Sequence, residues 1–208
     1  MLTDHCLCKK GIVRAAQWLL PKCEKTDPKN ISIALLLFGI LTAVVYFFAT
    51  YFAAFYFLGV ILIAIRLIVE KLEEQVALTY QKQTSRAILL KIISPEIADI
   101  LLLIAIILAD FDYIGIGDLA MGVCWAMILF DLAGFAVNHE SEKQGPLQEP
   151  YRILTLVFAS FLQFFAQIFH WPVDFIYLFL VWIIIGGLIT IVIRWRHLFK
   201  ATATTSII

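Results

Sequence analysis

An uncharged stretch of 35 residues, Ile31 to Ile65, constrains the fold of this chain more than any other feature. As one helix it would be about 52 Å long, whereas the hydrocarbon core of a bilayer is about 30 Å thick. The stretch is therefore either one strongly tilted helix or two spanning helices joined by a tight turn. Its residues do not alternate between apolar and polar, which disfavours a β-barrel.

Composition supports a membrane protein rather than a soluble domain. Hydrophobic residues make up 62% of the chain and charged residues 15%. Soluble domains average about 45–50% and about 25%, respectively. We therefore predict an all-α, polytopic helical bundle in a membrane, built as one helical domain.

The distribution of basic residues decides between one span and two in the long stretch. They fall into four clusters, at residues 9–29, 66–91, 143–152 and 194–200. The segments around residues 49–51, 110–113 and 170–174 hold no Lys or Arg. If each interval between clusters is a helical hairpin, all 16 basic residues lie on one side, as the positive-inside rule requires. This pattern predicts six transmembrane helices, at roughly 31–49, 52–69, 95–111, 114–137, 153–170 and 174–195.

The six spans predict a multi-pass protein with both termini in the cytoplasm, and we expect a bacterial inner membrane. The transmembrane domain covers residues 31–200, between a cytoplasmic N-terminal segment, 1–30, and a C-terminal tail, 201–208. Ser94 as N-cap and Pro95 at the first helical position predict the start of the third span.

The N-terminal segment contains an amphipathic pattern. Ile12, Ala16 and Leu19 lie near one helical face, with Arg14 on the opposite side. This spacing predicts a short interfacial helix that either lies on the cytoplasmic leaflet or packs on the protein's own loops.

Acidic residues gather where the second span ends and the third begins. Glu70, Glu73 and Glu74 share a helical face, and Glu96 and Asp99 form a second pair three residues apart. Both groups lie on the cytoplasmic side in the six-span arrangement. Carboxylates on neighbouring helices could hold a hard cation, which would neutralise a diphosphate. A spare carboxylate could accept the proton of an alcohol.

A plainer interpretation of the same residues stays open. Glutamates interleaved with Lys71 and Lys82 at a membrane exit are typical of a solvated helix surface, and Glu96 would then complement the dipole of the third span. Arg66 either pairs with Glu70 four residues later or faces a phosphate. Asp131, inside the fourth span, either lines a polar cavity or bonds to a neighbouring helix.

Several phrases, in order, resemble the CDP-alcohol phosphatidyltransferase family. They are "WLLPKCEKTDPKNISIALLLFGIL" before and in the first span, "QTS" and "IAD" at Gln83–Ser85 and Ile97–Asp99, "GPLQEPYRIL" at Gly145–Leu154, and "GGLITIVIRWRHL" in the last span. The family's six-span count agrees with the charge pattern. The family motif is D-x2-D-G-x2-A-R-x8-G-x3-D-x3-D, in which the aspartates bind a divalent metal and the last serves as general base.

The resemblance implies roles for particular residues of this chain. A Mg²⁺ or Mn²⁺ ion would be bound by Glu70, Glu73, Glu74 and Asp99. Proton transfer falls to Asp99 or Glu96. Substrate binding falls to Arg66, Ala77 and Lys82, with Ala77 matching the motif alanine.

The chain departs from the motif at four kinds of position. Glu74 replaces the first glycine, and Leu78 replaces the arginine that binds phosphate in a bidentate manner. The third and fourth acids fall at Lys91 and Pro95, and a shift of about one helical turn is needed to bring Asp99 onto the last acid. Glutamate in place of aspartate also moves a metal ligand by about 1.5 Å, although Mg²⁺ demands near-ideal geometry.

Three functions follow as hypotheses. The first is a membrane enzyme of phospholipid biosynthesis that transfers a substituted phosphate group from a CDP-linked lipid to a small alcohol, releasing CMP. The second is a catalytically inactive member of the same fold that binds membrane lipids or a partner. The third is a small transporter that uses Asp131. We expect no nucleic-acid partner, and a homodimer is left open.

Overall fold

A computed structural model describes residues 7–23, 26–80, 85–138, 145–147 and 149–205. All regular structure within these residues is helical, so the all-α prediction is confirmed. The helices are α1 (Leu7–Leu19), α2 (Pro28–Ala49), α3 (Ala54–Thr79), α4 (Ser85–Ala109), α5 (Ile114–Asn138), α6 (Glu149–Phe169) and α7 (Phe175–Thr205). Short 3₁₀ helices follow α1 at Leu20–Cys23 and precede α5 at Phe111–Tyr113.

Four of the helices in the described part of the chain are long and apolar enough to cross a membrane. The windows are Lys29–Ala49 in α2, Phe111–Gly134 leading through α5, Tyr151–Phe169 in α6 and Phe175–His197 in α7. Large apolar side chains on these helices face outward, among them Leu37, Leu129 and Phe158. Such outward-facing apolar surfaces suit a lipid solvent and support a multi-pass membrane protein.

Three tight turns lie together at one end of the bundle. Residues 50–53 join α2 to α3, residues 110–113 join α4 to α5, and residues 170–174 join α6 to α7. The Thr50 hydroxyl donates to the Ala109 carbonyl at 3.4 Å, and the Tyr113 hydroxyl donates to Asp174 Oδ2 at 2.5 Å. The three segments without Lys or Arg therefore meet at this end, named here the turn end. The opposite end, where α2 and α6 begin, is named the basic end.

Helix α2 begins where the sequence places a capping signal. The Asp27 carboxylate accepts a hydrogen bond from the Lys29 backbone N–H at 3.1 Å, and Pro28 occupies the first helical position. From there α2 packs along both α3 and α4. An apolar core including Ile63, Leu103 and Ile183 fills the bundle between α3, α4 and α7.

Helix α1 packs on helix α3, whereas the two predicted alternatives were the cytoplasmic leaflet and the protein's own loops. Ala16 has no exposed surface and lies in a cluster with Leu72 and Val76 of α3. The Tyr80 hydroxyl donates to the Leu20 carbonyl at 3.5 Å. The apolar face of α1 is therefore covered by α3 and is not free to enter a bilayer.

The predicted helix start at Ser94 and Pro95 is wrong. Helix α4 begins at Ser85, and Pro95 lies inside it. An interior proline removes one backbone hydrogen bond, a cost that packing on both sides of a buried helix can offset. Its own carbonyl accepts a hydrogen bond from Arg66 Nη2 at 2.9 Å, so the proline turn is held by α3.

Gly39 of α2 permits the close approach of α4. A Cβ atom at Gly39 would lie 2.5 Å from the Ala98 Cβ, beside Asp99 in the chain. We expect Gly39→Ala to lower the free energy of unfolding in detergent micelles by about 1–3 kcal/mol, because the added methyl group would force the backbones of α2 and α4 apart.

Gly122 of α5 provides the matched control. A Cβ atom there meets nothing within 4 Å. Gly122→Ala should leave the unfolding free energy unchanged or raise it slightly, since alanine is the better helix former. Equal effects of the two substitutions would show that α2 and α4 are not closely packed at Gly39.

Candidate functional site

Three helices bring charged side chains together in the interior of the bundle. Asp99 of α4 lies between Arg66 of α3 and Arg152 of α6. Arg66 Nη1 is 2.5 Å from Asp99 Oδ1, and Arg152 Nη2 contacts Asp99 Oδ2. The exposed fractions are 1% for Arg66 and 6% each for Asp99 and Arg152. Burial of charges is costly unless they are paired, and these three pair with one another. The set is named the ionic triad.

Neighbouring groups add hydrogen bonds to the ionic triad, although Arg66 Nε, Arg152 Nε and Asp99 Oδ1 have no hydrogen-bond partner among the described residues. Arg66 donates to the Pro95 carbonyl, and Arg152 Nη2 lies 3.1 Å from Glu96 Oε2. Asp99 and Glu96 thus bind the same guanidinium, whereas the sequence pattern predicted that this pair would help to hold a metal ion. Two arginines and two carboxylates balance in formal charge, so the site carries both anion-binding and proton-accepting groups without a net charge.

The three glutamates of α3 have three different surroundings. Glu73 is buried, and its Oε1 accepts a hydrogen bond from the Ser32 hydroxyl of α2 at 2.6 Å. Glu74 pairs with Lys71 at 2.9 Å, with both side chains more than a third exposed. Glu70 lies near enough to Arg66 and Asp99 to interact electrostatically with them. The shared helical face therefore brings only Glu70 towards the ionic triad.

Glu70 has an atom whose bonding is incomplete. Its Oε2 is buried, and no hydrogen-bond partner for it occurs among the residues that the structure describes. A buried acceptor without a partner costs about 1–3 kcal/mol, more when it is charged. This oxygen is therefore available to a ligand that supplies a proton donor or a positive charge.

The structure brings together only some of the four acids of the predicted metal site. Across the described residues, no group of three or more His, Cys, Asp or Glu side chains lies close enough to hold one ion. Glu70 and Asp99 remain as two carboxylates that interact electrostatically, and both oxygens of Asp99 face arginines. Mg²⁺ usually binds through one or two carboxylates together with substrate phosphates and water, so a magnesium ion here would not need a third carboxylate.

A small cavity of about 20 Å³ adjoins the ionic triad. This volume holds about one water molecule. Arg66, Asp99 and Arg152 form its polar wall, and the remaining wall is apolar, from Ile63, Leu102, Leu103, Ile106, Ile153, Leu156, Phe179 and Ile183. The cavity therefore has no room for a ligand larger than water beside the triad.

The segment before α6 is anchored deep against α7. The Leu147 backbone N–H donates to the Thr190 hydroxyl at 3.1 Å, and the Leu147 side chain is buried next to Gly186 and Gly187. Gly145 adopts a φ of +123°, which favours glycine. This anchor fixes the start of α6 a few residues before Arg152 and so positions Arg152 towards Asp99.

Sequence reasoning assigned only part of this site. Arg66, Glu96 and Asp99 were singled out and lie together, whereas Arg152 was seen only as a basic residue opening the fifth span. The sequence feature that could have indicated its role is that it is a lone arginine at the start of an apolar segment. Ala77 lies on α3, but its side chain is outside the described residues, as is the whole of Lys82.

A third buried arginine, Arg194, was not predicted to be a packing residue. Arg194 of α7 is 4% exposed, and its Nη1 donates to the Met127 carbonyl of α5 at 3.0 Å. In the sequence it stands out only as the first member of the last basic cluster, residues 194–200. The side chain of Asp131, one turn beyond Met127, lies outside the described residues.

Comparisons with known proteins add no relative. No model of a known protein family and no curated protein matches this chain. Support for a function therefore comes from the geometry around Asp99 and from the sequence phrases that resemble the CDP-alcohol phosphatidyltransferases.

Proposed function

We propose that this chain is a six-span membrane protein that transfers a substituted phosphate group from a CDP-linked lipid to an alcohol, releasing CMP. The observation that carries the proposal is the ionic triad, in which Arg66, Asp99 and Arg152 meet from three helices inside the bundle. Such a triad combines phosphate-binding guanidiniums with a carboxylate that can take a proton.

The six-span arrangement includes α3 and α4 as spans. Their 26 and 25 residues correspond to about 39 and 38 Å, enough to cross about 30 Å of hydrocarbon. The meeting of three cation-free turns at one end supports the hairpin arrangement, with both termini on the cytoplasmic side.

The depth of the ionic triad supports a functional role. Counted along the helices, Arg66 is about 18 Å from the start of α3 and Asp99 about 15 Å from the end of α4. These charges would then lie within the hydrocarbon thickness, where ionisable residues are costly and mark ligand or ion sites.

The chemistry assigns each residue a step. A diphosphate entering from the basic end would take hydrogen bonds from Arg66 and Arg152, whose planar guanidiniums match phosphate oxygens. Asp99, released from one arginine, would accept the proton of the alcohol hydroxyl. The alcohol oxygen would form a bond to the lipid-side phosphorus while the bond from that phosphorus to the CMP oxygen breaks.

Glu70 and Asp99 would hold a Mg²⁺ or Mn²⁺ ion at this site. The buried Oε2 of Glu70, which has no hydrogen-bond partner in the described part of the chain, is the observation that fits such an ion. The ion would supply positive charge to the phosphate oxygens.

A catalytically inactive lipid- or partner-binding protein of the same fold is the second candidate. It is favoured by the pairing of the acids, because Glu73 bonds to Ser32, Glu74 to Lys71 and Asp99 to two arginines. A protein that only binds a lipid phosphate needs the arginines but no free base.

One assay separates the two candidates. The purified chain, in lipid nanodiscs with CDP-diacylglycerol and Mg²⁺ or Mn²⁺, would be offered a panel of alcohols while CMP release and CDP binding are followed. Alcohol-dependent CMP release supports transfer. CDP or lipid binding without CMP supports the second candidate, and the absence of both overturns the two together.

A further inference from the structure

The outward face of α1 and the 3₁₀ turn after it carries a cationic and aromatic row. Arg14, Trp18 and Lys22 follow one another at intervals of four residues, and all three are exposed. Trp18 is 68% exposed, and the Lys22 ammonium lies 3.9 Å from the centre of its ring. The sequence of α1 contains no acidic residue. This set is named the Arg-Trp-Lys row.

The row points away from the bundle. Ala16, on the opposite side of α1, is fully buried against α3, so the apolar half of the helix is occupied by protein. What remains open to the surroundings is a surface of two cations around an indole ring. A cation over an indole face is a favourable contact, which keeps Lys22 beside Trp18.

In the six-span arrangement proposed above, the row lies at the level of a membrane surface. The cluster that holds α1 includes Ile31, in the first turn of α2, and Leu72 and Val76, just past the long apolar part of α3. These positions are where α2 and α3 pass between hydrocarbon and water in the six-span arrangement. Tryptophan is enriched at this depth, because its ring is apolar and its N–H needs a polar partner.

We propose that the Arg-Trp-Lys row binds the headgroups of anionic phospholipids in the leaflet at the basic end. Phosphate oxygens would accept hydrogen bonds from the Arg14 guanidinium and the Lys22 ammonium, and the Trp18 ring would lie among the headgroups. The occupant follows from the charge of the row and from its level at the surface. This binding is independent of any turnover at the ionic triad.

The test measures retained lipid on the full-length chain. Purified protein in detergent would be titrated with phosphatidylglycerol and, separately, phosphatidylcholine, and bound lipid counted by mass spectrometry under non-denaturing conditions. Removing both cations in an Arg14→Gln/Lys22→Gln variant should weaken phosphatidylglycerol binding roughly 30-fold, because each basic residue near an anionic surface contributes roughly fivefold. Trp18→Ala should also weaken it, with no change of charge.

A charge-matched control removes two other exposed cations of the basic end. Lys29→Gln/Arg196→Gln loses the same formal charge from exposed positions outside the row. It should weaken phosphatidylglycerol binding much less than Arg14→Gln/Lys22→Gln does, because Lys29 and Arg196 lie on different helices, α2 and α7. Phosphatidylcholine binding should be the same in all variants. Equal losses in the two double variants, or undiminished binding after removal of Arg14 and Lys22, would overturn the proposal.

Discussion

Replacement of Asp99 by asparagine is expected to lower the free energy of unfolding by about 3–5 kcal/mol, because it leaves two buried arginines facing each other without the carboxylate between them. Arg66 and Arg152 are 1% and 6% exposed, so water cannot take over the lost pairing. Arg152 keeps its contact with Glu96, and Arg66 keeps the Pro95 carbonyl. The measurement is reversible unfolding in mixed detergent micelles, followed by intrinsic fluorescence.

Two further variants isolate the cause of this loss. Glu74→Gln makes the same chemical change in the partly exposed pair with Lys71, and should cost no more than about 1 kcal/mol. A double variant, Arg66→Met/Asp99→Leu, removes one guanidinium together with the carboxylate and should recover part of the stability, since hydrophobic replacements of buried pairs are well tolerated. If Asp99→Asn costs no more than Glu74→Gln, the ionic triad is not a buried charge set.

The positions of the helices follow from sequence most closely at the turn end. Predicted boundaries at 49, 52, 111, 114, 170 and 174 lie within two residues of the observed Ala49, Ala54, Ala109, Ile114, Phe169 and Phe175. At the turn end, each apolar stretch and its helix end at the same turn. At the basic end the agreement is poorer, because hydropathy marks where hydrocarbon ends, and α3, α4 and α7 continue as helices through polar residues.

The site follows from sequence only as far as local spacing reaches. Glu96 and Asp99 are three residues apart on α4, and this spacing was enough to predict that they share a helical face, but not that their common partner is Arg152. Glu70, Glu73 and Glu74 also share a face, yet Ser32 of α2 takes Glu73 and Lys71 takes Glu74.

The rest of the site depends on contacts between segments that are distant in the sequence. Arg152 reaches Asp99 because residues 145–147 are anchored on Thr190, a contact across 43 residues of sequence that no local pattern reports. The feature of the local sequence that could have indicated this anchor is Leu147, an apolar residue in an otherwise polar stretch. The interior position of Pro95 is similar, since the α3 arginine that bonds to its carbonyl lies 29 residues away.

Loss of the Glu70 carboxylate is expected to separate activity from stability. Glu70→Gln keeps the shape of the side chain but removes the charge of a carboxylate whose buried Oε2 has no partner within the described ranges of the chain. Neutralising such a group should leave the unfolding free energy unchanged or raise it. CMP release should fall about 100-fold or more, because a bound metal ion stabilises developing charge by several kcal/mol.

The contrast with Glu74→Gln makes this result specific to the site. Glu74 lies four residues from Glu70 on the same helix but pairs with Lys71 at a partly exposed position, so its amide variant should keep wild-type CMP release. If the role of Glu70 were purely structural, Glu70→Gln would lower the unfolding free energy and CMP release together, because activity would fall as folding is lost. Undiminished CMP release in Glu70→Gln, or an equal loss in Glu74→Gln, would remove Glu70 from the proposed metal site while leaving the ionic triad as a phosphate-binding centre.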